Sequence, residues 1–216
     1  MIRVLWNHPL FPWCAPLGLF LALTAAQSIH PGAVYVVYPL KTVACAILLV
    51  VVWRRLPPIR FTRPWLSAWI GVVVCVGWVG LDPWWPRWGE RAGGFDPFQF
   101  ETVWLAWGLL VVRVAGAALV VPVVEELFWR GFLMRWLIRD DFEQVPLGTF
   151  QMFSFVATTL AFASVHDQWA LALVAGVVYG AWFCRTRSLG DVMLAHGVTN
   201  LLLGLHVART GAWHFW

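Results

Sequence analysis

The chain has 216 residues, of which 61% are apolar and 12% charged. A soluble domain carries about a quarter charged residues, so the composition excludes an ordinary soluble globule and points to a polytopic membrane protein. The net charge of +4 would suit a nucleic-acid binder, but the arginines cluster at helix ends instead of forming a basic face, so no nucleic acid is expected.

The length suits one compact integral-membrane domain over 1–216 and leaves no room for a separate soluble domain. Cys14, Cys45, Cys75 and Cys184 are scattered through apolar stretches without a Cys-x-x-Cys pair. They read as packing residues, not as a disulfide or zinc framework.

In chain order, a first span is expected over 13–28, stopping at His30-Pro31-Gly32. The stretch 10–28 has the look of a signal peptide, but its only charged n-region residue is Arg3 and further spans follow. It is therefore read as an uncleaved first helix. Span two covers 34–53, with Lys41 near enough to one end to snorkel. Arg54, Arg55, Arg60 and Arg63 surround Pro57-Pro58. That short basic loop should be cytoplasmic, with the N-terminus on the same side.

Span three covers 65–81. A charge-balanced loop over 82–100 carries Trp84, Trp85 and Trp88 to the outer interface. Span four begins near 102 and holds Arg113 in mid-helix, beside small residues such as Gly116 and Ala117 that allow close helix contact. Arg113 needs a counter-ion. Glu101 is too far along the helix, so a carboxylate on another helix, or one of the glutamates below, is expected.

Pro122 should kink or restart the helix. Spans five to eight follow over 123–138, 150–165, 169–184 and 191–207, with a basic turn at Arg185-Thr186-Arg187. The expected fold is all-α: a polytopic membrane bundle of about eight helices with an intramembrane polar cavity. Spans within 1–100 form its N-terminal part and those within 101–210 carry the motifs. Eight spans would put the Arg185 turn outside, against the charge rule, unless a segment is re-entrant or spans four and five form one broken helix.

The most informative stretch is Val124-Glu125-Glu126-Leu127-Phe128-Trp129-Arg130, two carboxylates and an arginine inside an apolar run. Charges at membrane depth are costly unless paired or wetted, and mark functional sites. On a helix Glu126 and Arg130 share a face, with the acid N-terminal to the base. Glu125 points about 140° away from Arg130. One carboxylate is neutralised locally and the other is left for chemistry. The plainer reading makes both glutamates juxtamembrane charges at a helix end.

Two further polar insertions weigh against that reading. Phe162 and His166 are four residues apart, as are His196 and Asn200. Each pair shares a helix face. These residue types suit hydrolysis of an amide or ester. A carboxylate is a competent general base for water, and a histidine beside it shares the proton or orients that water. A second histidine and an amide donate to a developing oxyanion, one donor being worth roughly 3–4 kcal/mol. No Gly-x-Ser-x-Gly or His-Glu-x-x-His motif is present.

The order E-E-x-x-x-R, F-x-x-x-H, H-x-x-x-N resembles the CPBP family, the type II CAAX prenyl endopeptidases and their bacterial relatives. The resemblance covers roughly the last hundred residues. The surrounding residues also resemble the CAAX-protease-related proteins of exosortase (PEP-CTERM sorting) systems, which would make such a system a partner. The resemblance implies a metal-independent intramembrane glutamate endopeptidase without a cofactor, multi-pass in a bacterial inner membrane. Glu125 and His166 would activate water, His196 and Asn200 would form the oxyanion site, and Glu126, Arg130 and Phe162 would support the motifs. Its substrate would be a membrane-associated peptide or protein in the lipid bilayer. The founding members cut the last three residues from a prenylated cysteine.

Two alternatives use the same residues. Zinc held by His166, His196 and a glutamate would make a metalloprotease, though Asn200 is then poorly explained. A non-catalytic membrane binder or small transporter would use the buried charges as a relay, though the chain lacks repeated halves with paired broken helices.

Overall fold

The computed structural model describes residues 6–27, 29–89 and 94–216. Arg3 and Ser28, both used in reading the first span, lie outside them. The described residues form helices and loops without strands. We number the long helices α1 (Phe11–Gln27), α2 (Val34–Val52), α3 (Pro64–Leu81), α4 (Val103–Trp136), α5 (Met152–Ser164), α6 (Trp169–Thr186) and α7 (Leu189–Thr210). Five of the seven are long and apolar enough to cross a membrane, and α1 and α5 are shorter apolar helices. The chain is a multi-pass membrane protein.

Among the described residues there are seven long helices where about eight spans were expected, because spans four and five are one helix. α4 runs 34 residues, about 50 Å at 1.5 Å per residue. It passes Pro122 because the preceding turn, Gly116–Val120, is a π-helix. Proline lacks the N–H that would close an i→i−5 bond to Ala117, and the wider π turn gives its ring room. The free Ala117 carbonyl accepts from Asn200 Nδ2 at 2.9 Å instead. A second π segment, Leu127–Leu133, carries Arg130. Pro122 therefore neither ends nor restarts the helix.

Fusing those spans also removes the conflict over sidedness. The loop at 54–63 meets the α6–α7 turn: Ser188 Oγ donates to the Arg60 carbonyl at 2.6 Å, and the Thr62 and Arg63 amides donate to Asp191 at 3.1 Å. Asp191 is fully buried in the first turn of α7, where a carboxylate also suits the positive end of the helix dipole. Arg55 reaches back to the carbonyls of Trp6 and His8. The Arg185 turn and the 54–63 loop thus lie on one face.

At the other end of α3, Asp82 accepts from Gln168 Nε2 at 2.8 Å and pairs with Arg87 and His214. The loops after α3, α5 and α7 therefore gather on the opposite face.

α3 and α7 pack backbone to backbone. A Cβ on Gly71 would lie 2.8 Å from Val198 Cβ, and on the α4 side of α7 one on Gly197 would lie 2.8 Å from the Ala118 carbonyl. Such approaches need glycine, as in other membrane bundles. α7 ends at Gly211, whose φ of 70° is a left-handed helix stop. The main core lies between α1, α4, α5 and α6, around Trp13, Leu127, Trp129, Phe162 and Phe183. A smaller cluster of Tyr38, Phe95 and Leu109 lies beside Trp216.

Candidate active site

The second half of α4 delivers the two glutamates to different surroundings, as their helical angles require. Glu126 is wholly buried, and its Oε1 accepts from Arg130 Nη1 at 3.0 Å and from His196 Nδ1 at 2.8 Å. Arg130 is itself 1% exposed and donates a further bond to the Gly176 carbonyl at 3.3 Å. Its guanidinium lies 4.7 Å from the Phe162 ring centroid, within cation–π range. A buried charge is retained at tolerable cost only when its remaining donors are satisfied. Here one carboxylate oxygen, one guanidinium and one imidazole meet, while Glu126 Oε2 is buried without a hydrogen-bond partner from the protein.

Glu125 is 6% exposed and lines a cavity of about 370 Å³. Its Oε2 is buried without a hydrogen-bond partner from the protein. His166, His196 and Asn200 line the same cavity. The structure therefore brings all four residues singled out for chemistry to one space, although they come from α4, the α5–α6 loop and α7. Glu126 and Arg130 stand behind that space, whereas Phe162 forms part of its wall.

His166 sits just beyond α5, half-buried, with its Nδ1–H donated to the Phe162 carbonyl at 2.8 Å. A carbonyl only accepts, so Nδ1 carries the proton and Nε2 of the neutral ring is an acceptor. Phe162 also packs its ring 4.6 Å from His166 and 6.1 Å from His196. Spacing alone accounts for the first contact, since residues four apart on a helix meet.

Two of this site's residues are not among those singled out from the sequence. Tyr179 stacks on His196 at 5.1 Å and donates its hydroxyl to Thr199 Oγ1 at 2.7 Å, which in turn donates to the Gly71 carbonyl at 2.9 Å. Thr199 lies three residues after His196 and so shares its face, a spacing that could have drawn attention to it. Tyr179, on another helix, had no such cue.

Two cations do not behave as expected. Lys41 does not snorkel. It is 3% exposed and bonded to Thr24 Oγ1 at 2.9 Å and Gln27 Oε1 at 3.3 Å, because hydroxyl and amide acceptors from α1 meet it inside the bundle. Arg113 has no carboxylate partner among the described residues. Its guanidinium instead sits 4.0 Å from the Tyr38 ring centroid and 5.5 Å from that of Trp216, at the cavity wall. Aromatic faces offer a cation a partner without a second ion. Among the described residues no three His, Cys, Asp or Glu side chains gather as a metal set.

Fold and site together define a multi-pass helical membrane protein with a polar cavity floored by a carboxylate. The family model described as Type II CAAX prenyl endopeptidase Rce1-like matches residues 105–202, a stretch that contains all three motifs. That stretch is similar to the Rce1-like type II CAAX prenyl endopeptidases. No curated protein and no solved structure matches the chain.

Proposed function

We propose that the protein is an intramembrane glutamate endopeptidase that hydrolyses a peptide bond with Glu125 as general base. The observation that carries this reading is the contrast between adjacent carboxylates: Glu126 is held through Oε1 by both Arg130 and His196 and does not line the cavity, whereas Glu125 lines it and has no ion-pair partner among the described residues. In the proposed step Glu125 takes a proton from water as its oxygen attacks the scissile carbonyl. His166 Nε2, an acceptor in its neutral tautomer, orients that water. The carbonyl oxygen becomes an oxyanion. Collapse of the tetrahedral intermediate breaks the C–N bond, and the proton held by Glu125 passes to the leaving amine.

Asn200 supports the oxyanion with its second amide N–H, the first being donated to Ala117. His196 keeps Nδ1–H on Glu126 and turns Nε2 to the cavity, where it is a donor in the imidazolium form. Glu126 and Arg130 hold that ring in place and are positioning residues. This assignment requires no metal ion. The membrane we propose for it is a bacterial inner membrane.

Peptide mass spectrometry of membranes carrying wild type or Glu125→Gln tests the reading. Fragments released only by wild type support it, and identical peptide sets overturn it.

A further inference from the structure

The loop residues that line the cavity all come from one face. The cavity's floor is Glu125, Tyr179 and His196, all in helix interiors, whereas its mouth is Asp167, Gln168 and His214. Those mouth residues belong to the loop after α5 and the segment after α7. They are tied to the far end of α3 through Asp82, and the Trp88 amide donates to the Asp167 carbonyl at 2.7 Å. No residue of the 54–63 loop or of the Arg185 turn lines the cavity. Those loops lie at the other end of α3, whose 18 residues separate the two faces by about 27 Å.

The two faces differ sharply in basic charge. Of the described arginines, eight lie in or beside the segments 54–63, 135–139 and 185–187, against two, Arg87 and Arg209, at the mouth face. Lysine and arginine in short loops are retained on the cytoplasmic side, and this bias sets orientation irrespective of acidic residues. The arginine-rich face is therefore the cytoplasmic one.

We infer that the catalytic cavity opens on the non-cytoplasmic side, and that its substrate is a polypeptide whose scissile segment has already crossed the membrane. A peptide held at the cytoplasmic surface would meet the basic loops and the closed floor. This inference rests on the proposed protease reading for the word substrate, but its sidedness rests on geometry and charge alone.

Two cysteine variants probe it, each in a chain with its native cysteines changed to alanine. Asp167→Cys marks the exposed mouth and Pro58→Cys the exposed basic loop. A membrane-impermeant maleimide should label Asp167→Cys in right-side-out vesicles and Pro58→Cys only in inverted ones. Labelling of Asp167→Cys only in inverted vesicles, only after detergent, or from the same side as Pro58→Cys overturns the inference. If Asp167→Cys fails to accumulate, Arg209→Cys, exposed in the last turn of α7, reads the same face. In parallel, a library of water-soluble quenched-fluorescent peptides is added to sealed vesicles of wild type. Cleavage confined to right-side-out vesicles is expected, and cleavage confined to inverted ones overturns the inference. Silence in both orientations and in detergent counts against the protease reading and leaves the labelling result standing.

Discussion

His196 Nδ1 and Glu126 Oε1 stand 2.8 Å apart, so the carboxylate that holds the motif histidine is the one already paired with Arg130, not its neighbour Glu125. This makes Glu126 the hub of a buried charge cluster and leaves Glu125 as the carboxylate facing the cavity. The division of labour follows from one 100° step along α4.

The cluster should behave as a structural unit. Removing one member of a buried ion pair strands the other and costs about 3–5 kcal/mol in soluble proteins. Arg130→Ala should therefore sharply reduce the yield of folded, monodisperse protein in detergent. The double variant Glu126→Gln with Arg130→Met should recover part of it, because no charge is left without a partner. Wild-type yield of Arg130→Ala would contradict the cluster.

Asn200 is asked to do two things at once, and Pro122 is the reason. Asn200→Ala should leave the Ala117 carbonyl unpaired, costing about 1–3 kcal/mol. It should also lower turnover by roughly 100- to 1000-fold through loss of an oxyanion donor. Pro122→Ala restores a backbone N–H that competes for the Ala117 carbonyl and releases the Asn200 amide. We expect thermal stability at least equal to wild type, with turnover lower by about tenfold, which is 1.36 kcal/mol of barrier. Unchanged turnover in Pro122→Ala would show that the Ala117 bond does not set the position of Asn200.

The α3–α7 contact is tight enough to test with one methyl group. Gly71→Ala puts a Cβ 2.8 Å from Val198 Cβ, and overpacking of this kind costs typically 1–3 kcal/mol. Gly77→Ala, on the same helix with open space around it, is the control. A lowered melting temperature is expected for the first variant and little change for the second. Equal melting temperatures would mean that the two helices separate freely.

Much of this was legible in the sequence, for local reasons. The Glu126–Arg130 bond, the opposite heading of Glu125 and the Phe162–His166 contact all follow from spacing within one helix. That three motifs meet in one cavity was expected from a family resemblance rather than from spacing. The choice of Glu126 as the partner of His196 spans 70 residues, and no periodicity reports on it. The continuity of α4 through Pro122 was only one of two ways to reconcile the basic turns, since a π turn leaves no mark in the hydrophobic pattern to decide between them. Lys41 and Arg113 were misjudged for one common reason. A charged residue in a span shows its cost in the sequence, but the hydroxyls and rings that offset the cost come from other helices.

The most direct test of the account is the turnover of purified Glu125→Gln. The substitution keeps the size and much of the hydrogen bonding of the side chain but cannot accept the proton from water. Compared with wild type on the same membrane-associated peptide, with folding confirmed by gel filtration and melting temperature, turnover should fall by at least about 100-fold. His166→Ala should lose a similar factor, and combining the two should add little, because both would act on one water. Near-normal turnover of folded Glu125→Gln would contradict the central claim and leave Glu125 as a structural charge beside the cavity.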